Sequence, residues 1–403
     1  VTVYIAPGVY WLEDPQLDTV ITREEPDDLY PYGYKVNCEN LKLMGLSENA
    51  EDVVIAANRG NDHGAKGNYT LFHFSGEQLE MENLTLGNYC CVDLEYALDP
   101  ALSVKKRTEA ITQAQLADTD ADKFYAKNCR FVSRLNLYPV CGAGRSLYEK
   151  CHFEQTDDAL NGNAVYLDCD FDFYSGMPIY EASDTGAVFL NCTFHCKYPQ
   201  DGETHEQYFT KVGGQIALID SSFTSLPETK VAASWTKYPS IALKCYQANV
   251  TYPEEQFITS AAADPHTVDI AGKPLTDAYF ITKGGEKRYN VYNLLGGKDD
   301  WDPLGNGEEI RAAGKTDIPT QLLLEAETFE LEVGGSPISI TGKSLTFDGR
   351  AVKRGIHFTI EGDKTDSIEV QQVSEDRCLL QLNDSSIDHE TEGILTAETE
   401  EGL

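Results

Sequence analysis

The sequence is short of basic residues, of long apolar runs and of paired cysteine motifs, and each shortage excludes a class of protein. Its 403 residues include 32 Lys and Arg against 66 Asp and Glu, a net charge of −34. This charge repels nucleic-acid phosphates and anionic membrane surfaces. No apolar run approaches the roughly 18 residues of a membrane span. We therefore predict neither nucleic acid as a partner nor membrane insertion.

Metal-binding patterns are absent as well. The 11 cysteines lack CxxC spacing and the 8 histidines lack HxxxH-like or clustered spacing, so the sequence predicts buried thiols rather than a zinc site. Its Asp-rich turns match no calcium loop. We predict no metal and no cofactor.

The first residues, VTVYIAPGVYW, read as a strand and a turn and not as a signal peptide. Because the chain begins in the middle of a pattern, we expect a mature or excised piece of a secreted or cell-surface bacterial protein.

A repeat defines the fold. The triplets CRF, CHF, CDF, CTF and SSF begin at Cys129, Cys151, Cys169, Cys192 and Ser221, about 18 to 30 residues apart, and an alternating apolar strand precedes each. Period-2 alternation indicates strands, and one rung per repeat stacked on its neighbour buries a continuous core. The repeat predicts a right-handed parallel β-helix, with the cysteines stacked inside as thiols rather than joined as disulfides.

The pattern changes twice along the chain. Residues 1–260 are predicted to form the β-helix, and the Gly-, Asp- and Pro-containing stretch 261–318 a cap and linker. Residues 319–403 contain short alternating strands separated by turns, which predicts a small immunoglobulin-like β-sandwich, expected to be truncated. This last domain is interpreted as a spacer or accessory domain, with a carbohydrate-binding module as the alternative.

The stretch from Gln113 to Cys192 resembles the pectin methylesterase family. KFYAKNCRF, GRSLYEKC, TDDALNGNAVYLDC and GAVFLNC are similar to that family's strand, turn and Cys pattern. The resemblance implies a right-handed β-helix that demethylates polygalacturonate. It also implies that Gln113 is an oxyanion-stabilising glutamine and that Asp158 is the nucleophile.

The sequence departs from the family at three working positions. Arg134 stands where the second glutamine is expected, Leu135 where the general acid is expected, and Ala233 where an Arg would hold the nucleophile, although Trp235 is retained. Ester hydrolysis by a carboxylate requires a proton donor and oxyanion donors. Loss of a general acid costs about 10² to 10⁴ in rate. We therefore expect a chemistry other than conventional methylesterase activity.

The adjacent acids Asp157 and Asp158 resemble the Asp pair of polygalacturonase-type glycosidases, in which one carboxyl protonates the leaving oxygen and another activates water. A turn or bulge is needed for both to face the groove. The predicted substrate-binding residues are the following: Arg134, Asn136, Tyr180, Glu181 and Trp235.

Each of these residues also has a structural interpretation. Asp157 is equally suited to capping a turn, and Arg134 to a surface ion pair with Asp158. Glu181 fits a solvated turn, and Trp235 fits packing between rungs.

The sequence thus predicts a carbohydrate-active enzyme whose β-helix groove binds a polysaccharide and hydrolyses glycosidic bonds through Asp carboxylates. A pectin methylesterase-type esterase is one alternative. A non-catalytic glycan-binding or adhesion module is the other. Because the net charge repels a polyuronate, an anionic substrate requires a local Lys or Arg patch.

Overall fold

The architecture is taken from a computed structural model. It describes residues 1–21, 32–110, 112–134, 139–155, 158–160, 162–174, 176–180, 187–197, 205–227, 229–231, 238, 243–248, 250–253, 268–270, 273–275, 290–296, 299–312, 322–325, 329–333, 336–341, 344–347, 350–360, 364–374, 377–382 and 393–399.

The chain divides into two compact units. The first comprises 1–269 and 275–286, and the second 270–274 and 287–403. The predicted boundary at 260 lies outside the described residues, as does much of the predicted cap and linker 261–318. Those domain limits stay predictions.

Parallel strands stacked in successive rungs build the first unit. Its first face consists of β1 (Thr2–Ile5), β4 (Asn40–Gly45), β9 (Gln78–Glu82), β12 (Lys123–Lys127), β14 (Arg145–Glu149), β16 (Ala164–Leu167), β18 (Ala187–Leu190), β21 (Gly214–Ile219) and β24 (Leu243–Ala248), paired in that order. Its second face consists of β2 (Gly8–Trp11), β5 (Val53–Ala57), β10 (Thr85–Asn88), β13 (Arg130–Val132), β15 (His152–Gln155), β17 (Asp170–Phe173), β19 (Thr193–Cys196) and β22 (Ser222–Ser225).

A third face closes the first rungs. It consists of β3 (Tyr32–Asn37), β8 (Tyr69–Ser75) and β11 (Ala114–Thr119). The remaining elements of the unit and of its boundary are β6 (Gly60–Asn61), β7 (Gly64–Ala65), β20 (His205–Gln207), β23 (Thr229–Val231), β25 (Val268–Ile270), β26 (Lys273–Leu275) and the 3₁₀ turns Ala50–Asp52 and Pro100–Leu102. All strand pairs of the three faces are parallel, which confirms the predicted parallel β-helix.

The turn from the first face to the second repeats one backbone conformation. Asn83, Asn128, Lys150, Asp168 and Asn191 all have φ between 48° and 56°. Asn and Asp tolerate this left-handed region because their short side chains hydrogen-bond locally. The chain can therefore turn sharply and place the next residue inside.

The next residue is the cysteine of each triplet. Cys129, Cys151, Cys169 and Cys192 are buried, and all nine cysteines whose side chains the structure describes are free thiols. The predicted stack of buried thiols is confirmed. Burial raises the pKa of the Cys151 thiol, which keeps it protonated.

Aromatic rings fill the interior beside the thiols. Phe131, Phe153, Phe171, Phe194 and Phe223 occupy equivalent positions of β13, β15, β17, β19 and β22. Their successive ring centroids are between 4.7 and 5.2 Å apart. This aromatic column fills the β-helix core through the middle rungs.

The second unit is antiparallel in its described strands. It contains α1 (Val291–Leu295), α2 (Gly307–Ala312), β27 (Leu322–Glu325), β28 (Phe329–Val333), β29 (Ser336–Thr341), β30 (Ser344–Phe347), β31 (Arg350–Ile360), β32 (Lys364–Ser374), β33 (Arg377–Leu382) and β34 (Gly393–Thr399). Neighbouring strands run β27-β33-β32-β31-β30-β29-β28, and β34 pairs with β31. The immunoglobulin-like topology stays a prediction. Among the described residues, no helix has the length and apolar character to cross a membrane.

Candidate functional site

The third face continues beyond β11 as short bridged segments. Leu160 pairs with Ile179, and Ile179 pairs with Thr210, both in parallel. The amide of Asp158 donates to the carbonyl of Met177 at 2.9 Å. Residues far apart in sequence thus become neighbours on successive rungs.

Asp158 begins the first of these segments in a left-handed conformation, with φ of 53°. Its Oδ2 accepts a hydrogen bond from Lys211 Nζ at 2.7 Å. Its Oδ1 is buried and has no hydrogen-bond partner among the described residues. A buried carboxylate oxygen without a partner is costly, and such atoms mark strained or functional positions. One oxygen of Asp158 is therefore held by a cation, and the hydrogen-bonding capacity of the other is not used by the described residues.

One exposed tyrosine lies beside this ion pair, and a second lies on the following rung. Lys211 Nζ lies 5.4 Å from the centroid of the Tyr180 ring. Tyr180 is 51% exposed and Tyr238 is 56% exposed. The amide of Tyr238 donates to the Lys211 carbonyl at 2.8 Å, which places Tyr238 on the following rung. Together Asp158, Tyr180, Lys211 and Tyr238 form what we call the Asp158 site.

Arg134 pairs with Glu154 and not with Asp158, the surface partner suggested from the sequence. Its Nη2 and Nε donate to Glu154 Oε2 at 2.7 and 3.1 Å, and its guanidinium carbon lies 3.5 Å from the centroid of the Tyr174 ring. The suggested ion pair of Arg134 with Asp158 is therefore wrong, because Arg134 extends along the second face toward Glu154.

The environment of Glu154 is strongly cationic. Burial alone would raise its pKa, but the nearby His152 ring and the charge of Arg134 outweigh burial and lower the pKa of Glu154 to about 2. Glu154 is thus ionised at any ordinary pH, and Arg134 has a permanent partner.

Gln113 lies directly before β11, and its carbonyl accepts from the Asn61 amide at 3.0 Å. Its side-chain Oε1 is buried without a hydrogen-bond partner in the described part of the chain. Two rungs separate Gln113 from Asp158, which corresponds to about 10 Å along the axis. The structure therefore brings Tyr180 next to Asp158 but places Gln113 at a distance.

Four predicted site residues lie outside the described residues: Asp157, Asn136, Glu181 and Trp235. Leu135 and Ala233, two of the substituted family positions, lie there too. Their roles stay predictions.

Lys211 was not among the predicted site residues. Its contact with Asp158 joins residues 53 positions apart and depends on which rungs are neighbours, which the sequence repeat leaves open beyond Cys192. The sequence contained one indication of such a residue: a cation is expected beside Asp158, and Ala233 cannot supply it. Within the described segments, no group of three or more His, Cys, Asp or Glu side chains is arranged to hold a metal ion.

No model of a protein family matches the chain. No curated protein matches its sequence. Several solved structures are similar to it.

Pectin methylesterase PemA from Erwinia chrysanthemi is 16% identical, with a TM-score of 0.43 over 75% of this chain and 89% of that chain. The pectin methylesterase from Aspergillus niger is 14% identical, with a TM-score of 0.41 over 69% of this chain and 85% of that chain. A pectin methylesterase in complex with a hexasaccharide is 17% identical, with a TM-score of 0.38 over 75% of this chain and 89% of that chain. These structures carry the name of the family that the sequence motifs resemble.

Proposed function

We propose that the protein is a carbohydrate-active hydrolase that binds a polysaccharide across the rungs of its third face and cleaves it with the Asp158 carboxylate. The observation that carries the proposal is the Asp158 carboxylate itself, with Oδ2 held 2.7 Å from Lys211 Nζ and Oδ1 buried without a partner in the described structure.

Substrate binding is supported by the exposed rings beside this carboxylate. Tyr180 and Tyr238 lie on rungs on either side of Lys211, and aromatic faces pack well against the apolar faces of sugar rings. Lys211 supplies local positive charge in a chain whose net charge is −34. An acidic sugar can therefore approach here despite the overall repulsion.

Hydrolysis of a glycosidic bond is the first chemistry we assign to the site. The ammonium of Lys211 pairs with Asp158 Oδ2, and we assign Asp158 the role of base or nucleophile. The partner carboxyl that protonates the leaving oxygen is then Asp157, as the adjacent Asp pair in the sequence predicts. A polymeric substrate also agrees with the expected location of this protein, secreted or on a bacterial cell surface.

Ester hydrolysis is the second candidate, and Lys211 favours it. The family pattern places an Arg beside the nucleophile, and this chain has Ala233 there. Lys211 reaches Asp158 from another rung and supplies the missing cation. Asp158 would then attack the ester carbonyl as the resemblance implies.

The test compares products released by wild type and Asp158→Asn from a panel of pectins and host glycans. Asp168→Asn is the matched control, because Asp168 is also an Asp with φ near 54° on the same rung but outside the site. We expect a loss of about 10² to 10⁴ in rate for Asp158→Asn and wild-type rates for the control.

The kind of product identifies the reaction. New reducing ends that disappear in Asp158→Asn would establish the glycosidase, whereas released methanol or acetate would establish the esterase. Glycan binding without any product, lost on replacing Tyr180 and Tyr238 by Ala, would refute both and leave a binding module.

A further inference from the structure

A second group of reactive side chains lies on the outer side of the third face, several rungs before the Asp158 site. His73 and Ser75 are two residues apart on β8 and therefore point to the same side of the strand. Asp118 on β11 is the in-register neighbour of His73. The strand pairing alone places a serine, a histidine and an aspartate together.

The atoms that meet are those of a nucleophilic triad. His73 Nδ1 lies 2.8 Å from Asp118 Oδ1, and His73 Nε2 lies 3.1 Å from Ser75 Oγ. A carboxylate can only accept, so the neutral imidazole carries its proton on Nδ1 and directs the Nε2 lone pair at the Ser75 hydroxyl. This order of contacts is the one by which a histidine activates a serine.

The group is open to small molecules. The side chains of His73 and Asp118 are 27% and 28% exposed, and Ser75 is half-buried. An ion pair or polar contact at this exposure contributes little to stability. Stability alone therefore gives little reason for three residues to be arranged in this way.

A cation is aligned with the histidine. Lys35 on β3 is the in-register neighbour of His73 on the side opposite Asp118, and it is exposed. The nearby Gly76 amide already donates to Asp120 Oδ1 at 3.2 Å. Lys35 thus contributes positive charge to this part of the third face.

We infer that Ser75, His73 and Asp118 form a second catalytic site, a serine esterase centre for acyl esters that reach it from the solvent side of the third face. Ser75 Oγ attacks the carbonyl carbon while its proton passes to His73 Nε2. The tetrahedral intermediate collapses, the bond to the alkoxy oxygen breaks, and His73 returns the proton to the leaving alcohol. Water then attacks the acyl-serine with His73 as base, which releases the acid and restores the Ser75 hydroxyl.

The first test is covalent labelling of the wild-type chain with a fluorophosphonate, followed by peptide mapping. We expect the adduct on Ser75, because only an activated serine reacts quickly. Ser47 is the internal control, since its Oγ donates to Asp52 Oδ2 at 2.6 Å without a histidine. If the adduct forms on Ser75 no faster than on Ser47, the assignment is wrong. This test uses only the wild-type chain, so its result does not depend on whether a variant folds.

The second test is hydrolysis of p-nitrophenyl acetate. We expect Ser75→Ala to abolish both hydrolysis and labelling, Asp118→Asn to lower the rate on the order of 10³ to 10⁴, and Ser47→Ala to match wild type. Hydrolysis that persists in Ser75→Ala but falls in Asp158→Asn would refute the Ser75 centre and assign the esterase to the Asp158 site. The two proposals thus fail separately.

Discussion

The inner and outer sides of the second face differ in chemistry although alternate residues of the same strands build them. The inner side holds the aromatic column, in which Phe153 and Phe171 stack 4.7 Å apart. On the outer side of the same strands, His152 pairs with Asp170 and Arg130 Nη2 lies 3.3 Å from Glu154 Oε1. The inner side is stabilised by close packing and burial. The outer side is stabilised by charged groups whose protonation depends on pH.

Removal of one ring from the column should give the largest effect. Phe171→Ala deletes a fully buried side chain that stacks on Phe153 and Phe194. We expect the free energy of unfolding to fall by about 3 to 5 kcal/mol, measured by urea unfolding. Leu98→Ala is the control, because Leu98 is 59% exposed and should change stability by less than about 0.5 kcal/mol. If Phe171→Ala changes the free energy of unfolding as little as Leu98→Ala does, the aromatic column does not stabilise the fold.

Breaking the outer ion pairs should cost somewhat less. Arg134→Met removes both hydrogen bonds to Glu154 Oε2 and leaves a carboxylate that is only 15% exposed with fewer partners. We expect a loss of about 3 kcal/mol in the same unfolding experiment.

The double variant Arg134→Met with Glu154→Gln should recover part of that loss, since the unpaired charge is gone. If the double variant is less stable than Arg134→Met, the pairing is not the cause of the loss.

The outer side should also make stability depend on pH in two directions. Burial lowers the pKa of His152, but the hydrogen bond to Asp170 and the nearby Glu154 carboxylate outweigh it and raise the pKa from 6.5 to about 9. The protonated form is favoured by folding, so its stabilising contribution is complete below pH 6.5 and is lost as pH rises through about 9. For Glu154 the pKa falls from 4.5 to about 2, so its contribution is complete above pH 4.5 and is lost as pH falls toward 2.

Thermal unfolding between pH 6 and pH 10 tests the alkaline part of this prediction. We expect the melting temperature of wild type to fall across this range more steeply than that of His152→Gln, which cannot titrate. Equal slopes would show that the His152 contacts do not stabilise the fold.

The smallest effect is expected at the turn from the first face to the second. Lys150 has φ of 53° where equivalent positions carry Asn or Asp, and a left-handed conformation costs an ordinary L-residue about 1 to 2 kcal/mol. Lys150→Asn should therefore raise stability by up to about 1 kcal/mol, measured as a shift in the unfolding midpoint. Lys127→Asn, at a strand position in β12, should give no gain.

The sequence predicted the inner side well and the outer side poorly, for a physical reason. Phe131, Cys129 and their equivalents recur with each rung because an interior position sees the same environment in every turn. Recurrence is visible without knowing which strands are neighbours. Asp158 was identified in another way, from the resemblance of TDDALNGNAVYLDC to the pectin methylesterase pattern.

Lys211, Glu154 and the Ser75 triad could not be found in this way. Their contacts depend on register: Lys211 meets Asp158 across 53 residues, and His73 meets Asp118 across 45. Neither spacing matches one repeat, because rungs differ in length. Arg134 was recognised as a candidate, yet its actual partner, Glu154, became clear only from the pairing of β13 with β15.

The parallel pairing of the rungs determines how fast the backbone amide protons exchange with solvent. Each middle strand is hydrogen-bonded to a rung on both sides, for example β14 between β12 and β16, so its amide protons can exchange with solvent only when a neighbouring rung separates. The terminal rungs of such a stack can detach singly, whereas the middle ones open only with larger parts of the stack. Deuterium should therefore replace the amide protons of the terminal rungs first. The middle rungs, which contain the aromatic column, should be the last to exchange.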